Sequence, residues 1–289
     1  MPEQERLVFT EDMRVVCQHE HPQDQYVLRL HAQRCAAVAQ PGQFIHLQCD
    51  SSLKMRRPYS IMSSESSTGE IEILYRSIGY GSRLLSQKKN GDVLSGIGPI
   101  GKGFVVHDAY TRPLLLGGGV GMPPVLFLAQ SLKRNPVFSP LVMLASERGF
   151  PFSPCDSKIP VEGIADTICA AHPALESAGI PVRLCSTQPQ SNCFEGFIHE
   201  LAELWLSGQS AEERSQVEIF ACGPKLMLAA VAGVARKYEL PCQLSLEEYM
   251  ACALGGCAGC VVPVMEQERV AMKRVCVDGP VFNAEALHL

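Results

Sequence analysis

The sequence predicts a β + α/β chain in three parts. An antiparallel β-barrel over residues 1–108 is followed by a parallel-sheet α/β domain over 109–246 and a small cysteine-rich module over 247–289. Three observations predict it. Short apolar runs separated by turn formers fill the first part, and strands alternate with helical stretches in the second. In the third, three cysteines fall within the nine residues CALGGCAGC.

The barrel strands are read from EDMRVVCQ, QYVLRLHA, GQFIHLQCD, RRPYSIMSS, EIEILYRS and GDVLSGIGPIG, which are rich in Val, Ile, Leu and Tyr. HPQD, AQPG, SSTG and KNG separate them as turns. One helix, GSRLLSQKK at 81–89, interrupts them, with Gly81-Ser82 as its expected cap. From residue 112 the rhythm changes. RPLLLGG, SPLVMLASE, IPVRLCST, QVEIFACG and CQLSLE read as strands, and MPPVLFLAQSLKR, EGFIHELAELWL and PKLMLAAVAGVARKY as helices. Such alternation predicts a parallel sheet covered on both faces. Residues 149–179 have no clean period and read as a loop insertion with a short helix. VVPVMEQERVAMKRVCVDGPVF reads as strand, polar turn, strand and a final turn.

Bulk properties narrow the function. A chain of 289 residues has room for two cores. It is 46% hydrophobic and 19% charged, which are globular values. A net charge of −5 without a basic block argues against nucleic acid as the main partner. The opening MPEQERLVFT is charged and does not read as a signal peptide, and LMLAAVAGVA at 226–235 is far short of a membrane span. A cytoplasmic location is expected. There the thiols of the 13 cysteines stay reduced, so the clustered ones read as metal ligands and most of the nine scattered ones as small buried residues.

Two glycine-bearing turns carry the nucleotide reading. In LLLGGGVGMPPVL a strand runs through Gly117, Gly118, Gly119 and Gly121 into a helix, where free N–H groups meet phosphates. In FACGPKLM, Cys222, Gly223 and Pro224 open another helix after a strand. A plain strand-to-helix turn explains either alone. Two at the carboxyl ends of parallel strands favour a dinucleotide. In RRPYS, Arg57 suits a phosphate, Tyr59 a flavin ring and Ser60 a ring edge; an exposed basic edge strand is the plain alternative. IGYGS at 78–82 reads as a second phosphate-type loop. Cys252, Cys257 and Cys260 have four and two residues between them, and Cys276 follows after fifteen more. That is plant-type ferredoxin spacing for a 2Fe-2S cluster, whereas structural zinc usually shows paired knuckles. Zinc and unmetallated thiols stay open as alternatives.

Together these pieces resemble the ferredoxin–NADP reductase superfamily, and within it the electron-transfer subunits of class 1B dihydroorotate dehydrogenases. The resemblance rests on RPYS, GPIGKGF, LLLGGGVGMPPV, FACGPKLM, SLEEYMAC and VCVDGPVF. It implies that Arg57, Pro58, Tyr59, Ser60, Leu74, Tyr75, Arg76, Gly81 and Ser82 hold FAD. It implies that the glycine turn and Cys222, Gly223 and Pro224 receive NAD(P)(H), with hydride exchanged near Tyr59 and Cys222. Cys252, Cys257, Cys260 and Cys276 then ligate the cluster. The implied partner is an FMN-containing catalytic subunit that oxidises dihydroorotate in pyrimidine biosynthesis, in a heterotetramer of two chains of each kind. Glu147 after the second sheet strand suits a ribose hydroxyl, but Arg148 beside it leaves NAD and NADP both open. Two departures stand out. Ala253 follows the first ligand where the family often has Gly, and the loop QPQSNCFE at 188–195 lacks the expected Asp-Gly-Ser type of sequence. The rival readings are a reductase subunit serving a hydrogenase, sulfite reductase, transhydrogenase or oxygenase, and a zinc-stabilised module without catalysis.

Overall fold

The computed structural model describes residues 7–288. The first part contains β1 (Phe9–His21), β2 (Gln25–His31), α1 (Gln33–Val38), β3 (Phe44–Leu47), β4 (Arg57–Glu65), β5 (Glu70–Arg76), α2 (Tyr80–Leu85) and β6 (Val93–Ile100). Its six strands close a barrel in the order β1-β2-β5-β4-β3-β6, every pairing antiparallel. Alternation along the strands turns Met13, Leu28, Leu30, Ile45, Leu47, Ile61, Ile71 and Ile73 inward, all fully buried.

In the barrel part, two helices differ from the sequence expectation. α1 was not expected. Its first N–H groups are held by the Glu11 carboxylate, which accepts from Arg34 N at 3.1 Å and Cys35 N at 2.8 Å. α2 starts at Tyr80 rather than Gly81 and ends at Leu85. Gly79 is its cap, and Ser82 Oγ accepts the Gly79 N–H from inside the first turn at 3.0 Å. Lys88 lies beyond the helix, with its ammonium on Asp50 at 2.6 Å.

The second part contains β7 (Arg112–Gly118), α3 (Met122–Leu132), β8 (Leu141–Ala145), β9 (Cys155–Asp156), β10 (Ala170–Ala171), α4 (Pro173–Ser177), β11 (Val182–Ser186), β12 (Phe194–Glu195), α5 (Ile198–Gly208), α6 (Ala211–Arg214), β13 (Val217–Cys222), α7 (Lys225–Lys237) and β14 (Cys242–Ser245). The third adds β15 (Val261–Glu266), β16 (Arg269–Arg274) and β17 (Val281–Asn283). The sheet order is β12-β11-β8-β7-β13-β14-β17. Six strands are parallel, as their apolar runs imply. The seventh, β17, joins antiparallel through Gln243↔Asn283, Leu244↔Phe282 and Ser245↔Val281. The cysteine-rich part therefore closes the edge of the nucleotide sheet. Its own hairpin is β15–β16.

α3 fixes the barrel against the sheet. Nine of its eleven residues are buried, so it is apolar nearly all round. Leu126 and Val125 pack into the sheet, and Phe127 packs into the barrel core. Beside it, Phe104 meets the Phe220 ring edge-on at 5.5 Å. The buried Glu218 carboxylate accepts from Gln243 Nε2 at 2.8 Å and pairs with His107 Nδ1 at 3.0 Å. A smaller apolar cluster seats the third part on the barrel, with Phe44 and Ile100 against Ala253, Cys260, Val275 and Cys276.

Candidate functional site

One cleft of about 1020 Å³ runs between the barrel and the segment that leaves β14. All nine barrel residues expected at a flavin line it: Arg57, Pro58, Tyr59 and Ser60 from β4, Leu74, Tyr75 and Arg76 from β5, and Gly81 and Ser82 from α2. Opposite them stand Ser245 through Ala251 and Gly259 of the cysteine loop, with Val120 from the glycine turn. Sequence reasoning had not given site roles to Phe44, Ser245, Glu247, Tyr249 or Met250. SLEEYMAC was a family motif only, and nothing local says that it crosses to the barrel.

The cleft fits FAD on two observations of its own. It is large and mostly apolar, with polar groups at few points, as cofactor clefts are. Arg76 brings a buried guanidinium Nε that has no partner among the described residues, a donor left for an acceptor from a ligand. Arg57 is exposed, and among the described residues its guanidinium bonds to nearby carbonyls, those of Met55 and Arg56, at 3.0 Å each. The Tyr59 hydroxyl faces inward and lies 3.3 Å from Cys49 Sγ. Burial, then the neighbouring Cys49, pushes this phenol well above its usual range. Its ring, not its hydroxyl, is what the cleft receives. Tyr75 stacks on Tyr26 at 5.4 Å and donates to Gln18 Oε1 at 2.8 Å, which stiffens the wall behind Tyr59.

The two glycine turns lie side by side. Gly117, Cys222 and Ser245 are register partners on β7, β13 and β14, at the carboxyl ends of the strands. The turns also interlock. A Cβ on Gly121 would fall 2.6 Å from the Cys222 backbone, and one on Gly118 or Gly223 would strike Met227. Packing against backbone therefore demands glycine at Gly121, whereas the Met227 side chain could swing away from Gly118 or Gly223; Gly117 is tight as well, 3.1 Å from Leu144 and Met122. Gly119 differs: its φ is +56° and nothing lies within 4 Å of its Cβ position. Pro224 caps α7. Cys222 is fully buried, and burial, then the Glu247 charge, holds its thiol in the protonated form, against a weaker opposing bond from Ser245. It backs the site from the core. The loop 188–195 lines a separate cavity of about 270 Å³ with Gln188, Gln190 and Glu195.

The four cysteines form two adjoining pairs, with Cys276 also feeling the Cys252 charge. Cys252 faces Cys257, and Cys260 faces Cys276. Among the described residues, no three His, Cys, Asp or Glu side chains are arranged to hold one metal ion. Two pairs suit a two-iron cluster, with two thiolates to each iron, better than one tetrahedral zinc. Backbone donors point at the sulfurs. Leu254 N and Cys257 N lie 3.4 Å from Cys252 Sγ, and Gly259 N lies 3.4 Å from Cys257 Sγ. The Leu254 N–H above all lowers the Cys252 thiol to about 6. Cys276 is raised to about 12 by burial and then by the facing Cys260 thiol. Cys257 is exposed while Cys260 and Cys276 are 3% and 2% exposed, so the site runs from surface to core. Ala253, the family departure, sits at φ +56° and is 1% exposed.

Comparison with known proteins matches two stretches of the chain to described families. Residues 13–104 match the family described as "Oxidoreductase FAD-binding domain". Residues 247–288 match "Iron-sulfur cluster binding domain of dihydroorotate dehydrogenase B". The "Dihydroorotate dehydrogenase B (NAD(+)), electron transfer subunit" of Caldanaerobacter subterraneus subsp. tengcongensis is 34% identical over 85% of this chain and 85% of its own. The protein of that name from Bacillus caldolyticus is 34% identical over 96% of this chain and 98% of its own. A solved structure described as "Insights into flavin-based electron bifurcation via the NADH-dependent reduced ferredoxin-NADP oxidoreductase structure" superposes with a TM-score of 0.77 at 22% identity. It covers 96% of this chain and 89% of that one, and shows the shared fold. A ferredoxin NADP+ reductase from Neisseria gonorrhoeae with bound FAD and NADP shares the fold at a TM-score of 0.58 and 16% identity, over 79% of this chain and 91% of its own.

Proposed function

Because the chain belongs to the family of dihydroorotate dehydrogenase B electron-transfer subunits, we propose that it passes electrons between a separate dihydroorotate-oxidising subunit and NAD⁺ in pyrimidine biosynthesis. The observation that carries the reading is the cleft that sets every expected flavin residue opposite Gly259 of the cysteine loop. When bound, FAD interconverts a hydride pair with single electrons, and a 2Fe-2S cluster carries electrons one at a time.

The chain's own residues place and insulate these groups. Arg76, with its unpartnered Nε, and Arg57 hold the FAD phosphates. Ser60 meets a ring edge, and Ser82, with Gly81, shapes the wall at the start of α2. Pro58, Leu74 and Tyr75 support the Tyr59 ring, which gives the flavin a flat face. The Tyr59 hydroxyl and the Cys222 thiol stay protonated at neutral pH, so neither ionises during turnover. Gly119 leaves open backbone for the nucleotide, while Gly117, Gly118, Gly121, Gly223 and Pro224 set its floor. Cys252, Cys257, Cys260 and Cys276 ligate the cluster, and exposed Cys257 marks the face toward the partner. Residues 1–108, 109–246 and 247–289 act as the FAD, nucleotide and cluster units. The complex is cytoplasmic, a heterotetramer of two such chains and two FMN-containing catalytic chains.

Co-purification of the tagged chain from its own cells tests this. A dihydroorotate-oxidising chain should accompany it, and the complex should reduce NAD⁺ with dihydroorotate. Recovery of a hydrogenase, sulfite reductase, transhydrogenase or oxygenase component alone would assign another partner. A colourless preparation with one zinc per chain would end the electron-transfer account.

A further inference from the structure

Cys276 is presented by a closed turn. Arg274 O accepts the N–H groups of Val277 at 3.0 Å and Asp278 at 2.7 Å, and Asp278 Oδ2 accepts the Arg274 N–H at 2.9 Å. The turn is joined to the 252–260 loop in two ways. Val275 N donates to Cys260 O at 3.0 Å. The Arg274 side chain does the rest: its Nε faces Asp278 Oδ2 and its Nη1 faces Gly255 O, each at 3.3 Å. Gly255 lies at φ +84°, and a Cβ there would sit 2.6 Å from Val277 Cγ2 and 3.3 Å from Arg274 Nη1. The loop is thus packed down onto the guanidinium.

We propose that Arg274 and Asp278 are a positioning pair for the iron–sulfur site, in which Arg274 sets the spacing between the Cys276 turn and the 252–260 loop while the two opposite charges balance at the cluster's edge. The proposal rests on the reading that the four cysteines hold the cluster. Its physical basis is the charge of such a site. Four thiolates give it a net negative charge, and reduction adds another. A fixed cation nearby favours the reduced form and a fixed anion opposes it. Arg274 is 41% and Asp278 26% exposed, so water damps both effects without erasing them. Removing one member leaves the other unbalanced, so the two single variants move the potential in opposite directions. A pair that only supported packing would give no such sign pattern. The fork of Arg274 also spans two acceptors at once, a geometry that lysine lacks.

The test uses the full-length purified protein, assayed for iron, acid-labile sulfide and FAD, with potentials taken by EPR-monitored reductive titration. Arg274→Gln should make reduction harder by about tenfold in equilibrium constant, ~59 mV for one electron. Asp278→Asn should make it easier. Arg274→Lys should keep the potential within about twofold in that constant yet release iron to a chelator several-fold faster than wild type. Shifts of the same sign, or none, in the first two variants overturn the pair. If Arg274→Gln binds FAD but no iron, Asp278→Asn alone decides: a raised potential supports the pair and an unraised one overturns it. A wild-type chain with FAD but without iron and sulfide overturns the cluster reading and the pair with it. A loaded wild type with unmoved variants overturns the pair only.

Discussion

Ala253 shows how much one backbone angle explains. Its φ of +56° is a region that glycine enters freely and alanine at a cost of about 1 kcal/mol. Its methyl is buried against Phe44 and Val275, a gain of about 0.8 kcal/mol. The two nearly cancel, which is why alanine is tolerated at this angle. Ala253→Gly should therefore leave the denaturation midpoint and the iron content almost unchanged. Ala253→Val should cost about 2–3 kcal/mol, read by urea unfolding, because a branched side chain is strained at this angle and overfills the site. Two histidines make a separate prediction. His46 is fully buried with neither ring nitrogen partnered among the described residues, and burial, then the Arg56 charge, lowers it to about 4. His172 is lowered to about 4 by burial, and its Nδ1 accepts from Ala174 N and Leu175 N at the start of α4. Both are neutral when folded but take a proton near 6.5 when unfolded. Between those values the unfolded state binds more protons, so stability falls as pH drops from about 6.5 toward 4. Unfolding free energies measured from pH 7 to 5 should show that slope, and His46→Leu should flatten it. An unchanged slope in that variant would mean His46 titrates normally.

Among elements, those with strong internal pattern were legible and those made by distant contacts were not. The barrel strands and the buried sheet strands stood out as apolar runs between turn formers. α1 did not, because the carboxylate that starts it, Glu11, is 23 residues away from Arg34. The start of α2 was misplaced because Ser82 acts from the third position of the helix rather than from its cap. The cysteine cluster stood out from spacing alone, whereas Glu247 and Tyr249 reach the cleft only through the path of the chain beyond β14. α3 was legible as a helix, but its role as a wedge was not, since one face of an all-apolar helix looks like another. Phe127 decides that role. Truncating it to alanine should cost about 3–5 kcal/mol by opening a cavity at the barrel end of the wedge. Calorimetry should show a lower melting temperature, with the barrel losing FAD before the sheet unfolds. A single transition at the wild-type temperature would show that the wedge contributes little.

At the scale of the whole molecule, the cysteine-rich part is built into the other two rather than appended to them. Its spacing looked like that of a self-contained module, and its internal hairpin supports that view. Yet β17 covers the edge of β14, and Ala253, Cys260, Val275 and Cys276 cover Phe44 and Ile100 on the barrel. Val281–Asn283 is too short and too unremarkable a run to announce itself as a sheet strand. An exposed parallel-sheet edge with Leu244 and Cys242 behind it invites pairing between chains. Two variants separate a built-in part from an appended one. A chain stopped after Leu246 loses β17 and the apolar cover, so it should melt lower and associate on gel filtration even with FAD supplied. Cys257→Ser changes only an exposed side chain at the open end of the cluster site. It should lose the visible iron–sulfur spectrum and electron exchange with the partner, while its melting temperature, FAD content and NADH oxidation by artificial dyes stay near wild type. A monomeric, FAD-loaded truncated chain with an unaltered melt would show instead that electrons merely leave through a detachable outlet. Loss of dye reduction in Cys257→Ser with FAD still bound would place the cluster between NADH and the flavin rather than beyond it.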